Sequence, residues 1–223
     1  ALRKFSSGQK NIAIGGLAVY ETTTGSNNIA VGDSALRNNS TGSNNVAIGK
    51  ESLKGSSGNS TSTNVAVGFE ALKVLSTGHT NVAVGSYAGV ALTTATDVVA
   101  IGPNAISTAT APTGSIGIGR DAGSGLSTGI YNIAIGHTAM GGGSGADNFG
   151  IAIGFESMRY ADSGNSVAIG GYALQDATSD GNTAVGHQSL MQNTSGINTA
   201  YGASSLKNIT TGTQNTAIGQ NTL

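Results

Sequence analysis

The stretch Asn28-Ile29-Ala30-Val31-Gly32 decides the fold, because it does not occur once. It is preceded by Asn11-Ile12-Ala13-Ile14-Gly15 and followed by Asn45-Val46-Ala47-Ile48-Gly49. The closing glycine can be traced through Gly15, Gly32, Gly49, Gly68, Gly85, Gly102, Gly119, Gly136, Gly154, Gly170, Gly186, Gly202 and Gly219. The twelve intervals run from 16 to 19 residues with a mean of 17, so thirteen copies of one short repeat account for nearly the whole chain.

Each column of the repeat has its own character. Three residues before the glycine the side chain is always β-branched: Ile or Val at first, then Thr183, Thr199 and Thr216 at the end of the series. One before the glycine it is Ile or Val, with Tyr201 the exception. Between these two lies Ala in every copy but one, which has Gly117. Three after the glycine the residue is small, and four after it is usually Leu, Ile, Val or Met, with Gly89 and Gly123 as departures.

A unit of this length is too short for a helical hairpin repeat, which needs about 33 residues or more. An alternating, β-branched Ile-Ala-Ile run favours an extended strand. The glycine supplies a bend or a close backbone approach. The small-Leu pair is expected to begin a second short strand. Segments such as Ser40-Thr41-Gly42, Ser76-Thr77-Gly78 and Ser127-Thr128-Gly129 are expected to turn the chain back. One repeat is then one coil of an all-β, parallel solenoid. Residues 1–223 form a single repeat domain of about thirteen coils, roughly 60 Å long at about 4.8 Å per coil. Asn opens nine of the thirteen copies, among them Asn28, Asn45, Asn81, Asn198 and Asn215. Stacked Asn side chains can bond to the coils above and below as an amide ladder.

Composition agrees. Only 9% of the residues are charged, against about 25% in ordinary domains, yet 38% are apolar, which argues against disorder. The net charge of −1 points to no nucleic-acid partner. There is no cysteine, hence no disulfide framework and no thiolate metal site. No run of about 20 apolar residues suggests a membrane span. The chain begins and ends inside the repeat pattern, and so reads as a piece of a longer fibrous protein.

The alternation leaves both strand faces apolar. One fills the coil together with the Leu column, and the other is bare on a single chain. Stacked alanines would make a flat apolar strip of the kind that marks interfaces. Which column faces a partner, and whether two or three copies assemble, stays open at this level.

Asn215-Thr216-Ala217-Ile218-Gly219 and variants such as Ser166-Val167-Ala168-Ile169-Gly170 resemble the head repeats of trimeric autotransporter adhesins of the YadA type. The longer pattern in Gly42 through Leu53 and in Gly212 through Leu223 is similar to repeats of bacteriophage tail fibres. The resemblance implies a left-handed parallel β-roll, a homotrimer with its chains intertwined or side by side, and an extracellular role in surface attachment on a cell or virion. The adhesin repeat is commonly shorter than this one, which favours the fibre-type relatives.

Catalytic chemistry is not expected, and neither is a cofactor. His137 and His187 each follow a repeat glycine but in separated copies, and His79 falls in a turn, so no pair has metal-ligand spacing. Asp33, Glu51, Glu70, Asp121 and Glu156 occupy exposed turn positions. Gly141-Gly142-Gly143-Ser144-Gly145 opens no helix and reads as a loop rather than a phosphate cradle. Val31-Gly32-Asp33-Ser34-Ala35-Leu36 fits one hexad of the acyltransferase type, but those enzymes need consecutive hexads around each coil. An ice-binding surface needs a regular Thr array, and only three copies carry the Thr. The remaining candidates are aromatics in adjacent coils, Phe69 with Tyr87 and Phe155 with Tyr172, which could bind a host-surface receptor or glycan.

Overall fold

The computed structural model describes residues 6–56, 58–143, 148–161 and 164–223. Ser144 and Gly145 of the glycine-rich segment lie outside the described residues. Two compact units divide the chain, Ala1–Gly114 and Ser115–Leu223. Each is a parallel β-solenoid with about 17 residues between successive strands.

The first unit contains β1 (Ile12–Ile14), β2 (Ile29–Val31), β3 (Val46–Ile48), β4 (Val65–Val67), β5 (Val82–Val84) and β6 (Val99–Ile101). The second contains β7 (Ile116–Ile118), β8 (Ile133–Ile135), β9 (Ile151–Ile153), β10 (Val167–Ile169), β11 (Thr183–Val185), β12 (Thr199–Tyr201) and β13 (Thr216–Ile218). Within each unit the strands pair in chain order, in parallel and without slippage: Ala30 lies beside Ala47, and Ala152 beside Ala168. Like side chains therefore stack over like.

The strands stop after three residues because the repeat glycine follows, with φ between +123° and +140° in all thirteen copies. The chain then does something the sequence reading did not anticipate. The small-Leu pair is not a strand. Ser34 has φ +57° and Leu36 φ +50°, with Ala35 between them at negative φ, and Leu53, Leu72 and Ile106 repeat the positive value at Leu36's place. This alternation points successive peptide groups up and down the stack. Ser34 N–H donates to Gly16 O of the preceding coil at 2.7 Å, and Leu36 N–H to Ser52 O of the following coil at 3.0 Å. An extended backbone would carry the chain straight past the interior. The alternating turn instead tucks the Leu side chain inward while every coil still bonds to its neighbours.

The interior is narrow and settles which strand face is inside. The central alanines point inward and are buried, with Ala30, Ala83, Ala134 and Ala168 at 0% exposure. Leu36, Leu72, Leu174 and Leu190 close the opposite wall. The stacked alanines are thus not a surface strip, because only a methyl group fits between the strand and the Leu wall. A further buried column lies seven residues after the glycine and holds Thr22, Asn39, Leu75, Leu92, Ala109, Leu126, Ala161, Ala177 and Asn193.

The Asn ladder completes the core. Asn64 Oδ1 accepts from the Asn81 backbone N–H at 3.0 Å and from Asn81 Nδ2 at 3.0 Å, while Asn64 Nδ2 donates to Asn45 Oδ1 at 3.2 Å and Gly78 O at 3.1 Å. The bonds recur from Asn28 to Asn45 and from Asn198 to Asn215. Serine can take the place of Asn, as where Ser166 Oγ receives the Asn182 N–H at 3.1 Å and donates to Gly164 O at 3.2 Å. Replacing Asn64 by alanine strands the buried Asn81 N–H and Gly78 carbonyl. It is expected to cost about 3 kcal/mol in denaturant unfolding, with Asn64→Ser costing less than half of that.

Candidate functional site

With Ala inward, the first and third residues of every strand point out. They form two files of side chains on the outer face of the sheet, all β-branched except Tyr201. Ile14 is 60% exposed and Ile48 40%, and Ile29, Val84, Ile118 and Ile169 are likewise open to solvent. No charged residue occurs in either file in any strand. In β1–β6 both files are entirely Ile and Val; in β11–β13 the first file becomes Thr183, Thr199 and Thr216. An apolar surface this regular is uncommon on a monomeric soluble protein and marks a place where something packs. It is the principal candidate site.

Charges lie off this face, in the turns. Glu51 meets Lys73 at 3.0 Å and Lys54 at 3.3 Å, and Lys73 also meets Glu70 at 3.1 Å. The Lys73 ammonium holds the Glu51 carboxyl below its ordinary 4.5, and Glu51 with Glu70 raises Lys73 above its ordinary 10.5. Glu51 therefore adds stability above pH 4.5 that is lost as pH falls through its depressed value. Lys73 adds stability below pH 10.5 that is lost as pH rises through its raised value. Lys73→Met should flatten the acid side of a melting-temperature profile measured from pH 5 to pH 2.5. The effect is modest, because the pairs are partly exposed.

The four aromatics singled out from the sequence do meet in pairs. Phe69 and Tyr87 lie edge-to-face with centroids 5.2 Å apart, and so do Phe155 and Tyr172 at 5.3 Å. Both pairs stand in the turn just after the glycine. The second pair is longer than expected. His137 stacks flat on Phe155 at 5.4 Å, and His187 meets Tyr172 at 5.7 Å, giving a run of four rings. His137 and His187 are therefore ring partners rather than free turn residues, while His79 is exposed beside Ser62 and Thr96 in a short bridge ladder. Arg120 Nε donates to His137 Nε2 at 3.2 Å.

A further pair, Tyr131 and Phe149, stacks at 5.7 Å and is exposed. Both stand five residues before their repeat glycine, a correspondence that could have revealed them. The thirteen glycines and the Asn residues read as structural from the sequence lie in the coil turns and the amide ladder as described above.

Among the described residues no cluster of three or more His, Asp or Glu could hold a metal ion, and no helix is long and apolar enough to cross a membrane. Comparison with family models, with curated proteins and with solved structures found no match to this chain.

Proposed function

We propose that this chain is a structural and adhesive segment of an extracellular homotrimeric fibre, such as a phage tail fibre or a cell-surface adhesin, with its Ile/Val face turned toward the other copies. The exposed apolar face carries this reading. Of the twelve outward side chains of β1–β6, Ile12, Ile14, Ile29, Ile48, Val84 and Ile101 are 36–60% exposed, on one uncharged face of the kind that marks an interface. The backbone and amide ladders join each coil to its neighbours, which suits a stiff spacer that holds a binding element away from a surface. The resemblance of the repeat to fibre and adhesin repeats supports three copies rather than two.

Light scattering on the purified chain tests it. The expected mass is three times the 21.8 kDa of one chain. Placing Glu at Ile48 and Val84 together should return it to one chain with the β-type circular dichroism unchanged, since both side chains point outward. A parent chain that stays at 21.8 kDa overturns the reading.

A second reading is a ligand- or glycan-binding module built on Phe69, Tyr87, Phe155 and Tyr172. It is favoured by the exposure of Phe155, which leaves part of a ring available for stacking. Binding on a glycan array that disappears in Phe155→Ala and Tyr172→Ala would support it. A silent array would leave these rings as inter-coil packing.

A further inference from the structure

We propose that Thr183, Thr199 and Thr216 fix the register and the parallel orientation in which a second copy of this chain packs on the outer strand face. This rests on the self-association reading above and adds to it how the copies are aligned.

A repeating apolar face has a physical problem. If every coil presents Ile and Val, a partner shifted by one coil makes nearly the same contacts, so register is poorly specified. From β7 to β10 the first file of the second unit is of this kind, Ile or Val throughout. In β11, β12 and β13 the file changes to Thr183, Thr199 and Thr216. Thr183 pairs in register with Thr199, and Thr199 with Thr216, so the three hydroxyl-bearing side chains lie on one line at about 4.8 Å spacing.

These hydroxyls differ from those of the turn threonines that tie one coil to the next. Thr178 and Thr194, in the turns, donate to the carbonyls of the next coil at 2.6 and 2.8 Å. Among the described residues the hydroxyls of Thr183, Thr199 and Thr216 make no hydrogen bond within the chain, although Thr has the shape of Val and would fit any place in the file. In a parallel copy shifted by one coil, one Thr of each chain loses its Thr partner, and a larger shift strands more of them; a hydroxyl buried against Val or Ile loses its water without gaining a partner. Opposite the same file of a parallel, unshifted copy, each hydroxyl meets a donor and acceptor at its own spacing. A second copy satisfies this requirement, because the Thr file recurs in it at the same coil pitch. On the outer face of the same unit Ile118, Ile169, Tyr201 and Ile218 stand 36–74% exposed, the apolar surface such a partner would cover.

The chain has no cysteine, so one spin label can be placed cleanly through Gln220→Cys, an exposed site just after β13. Pulsed dipolar spectroscopy between copies should give one narrow distance. In the triple variant Thr183→Val, Thr199→Val, Thr216→Val, light scattering should show an unchanged mass. The distance distribution should broaden into a tail at longer distances, because a slip of n coils along the stack adds about 4.8n Å at right angles to the separation of neighbouring copies. A single narrow distance in the triple variant, or a broad one in the parent, overturns the proposal while leaving self-association standing. A monomeric parent overturns both.

Discussion

Replacing Gly85 by alanine is expected to lower the melting temperature by about 10 °C or more, or to prevent folding outright. Gly85 has φ +135°, a value that L side chains rarely adopt. A Cβ built there would lie 2.6 Å from both the carbonyl carbon and the carbonyl oxygen of Gly102, and 3.1 Å from the nitrogen of Pro103. These are backbone atoms of the next coil, so no side chain can rotate away to make room. Backbone strain of about 1–3 kcal/mol adds to an overpacking cost of similar size. In a chain of this length each kcal/mol moves the midpoint by about 2–4 °C. Ser86→Ala, one residue along, serves as the control and should melt like the parent. A Gly85→Ala protein melting within 2 °C of the parent would show that the coils are not stacked as closely as described.

Ala134→Asp is expected to be the most damaging substitution in the second unit. Ala134 is fully buried in β8, between Gly117 and Ala152 of its neighbour strands. Met140 and Met158, both buried, wall the interior at this level, and a carboxylate there would be stripped of solvent with no cation to meet it. Such a group costs several kcal/mol even after it takes up a proton. Soluble yield and far-ultraviolet circular dichroism should both collapse. Ile135→Asp, one position along but outward-facing, should leave the chain folded. If both variants behave alike, the assignment of inner and outer faces is wrong.

The parts of this molecule visible in the sequence are those where one requirement acts identically in every copy. The glycine column is constant because backbone meets backbone at every turn, as at Gly85. The Asn column is nearly constant because a buried N–H recurs beside it. The alanine column was visible as a pattern but not as a direction, since period-two alternation says that faces differ and not which one is inside. The interior column containing Thr22, Asn39, Leu75 and Ala109 had no constant residue type, because the coil there adjusts to hydroxyl, amide or aliphatic in turn. The Leu column was misread as a strand. Its residues are ordinary strand formers, and nothing in the identity of Leu36 or Ile106 announces a positive φ that their neighbours impose. Of the candidate sites, the aromatic pairs were legible from column position, whereas the flanking histidines were missed because their own copies are not adjacent.

That left-handed placement of ordinary residues has a kinetic corollary. Each such residue gives up about 1–2 kcal/mol relative to its relaxed conformation, and a lone coil has no neighbour to return it. A single winding should therefore not persist in isolation, and assembly should begin only once several windings close together. Loss of order should in turn start at the outermost windings and travel inward, like a zip opening from its ends. The middle of each unit would be the last part to release its amide protons to solvent.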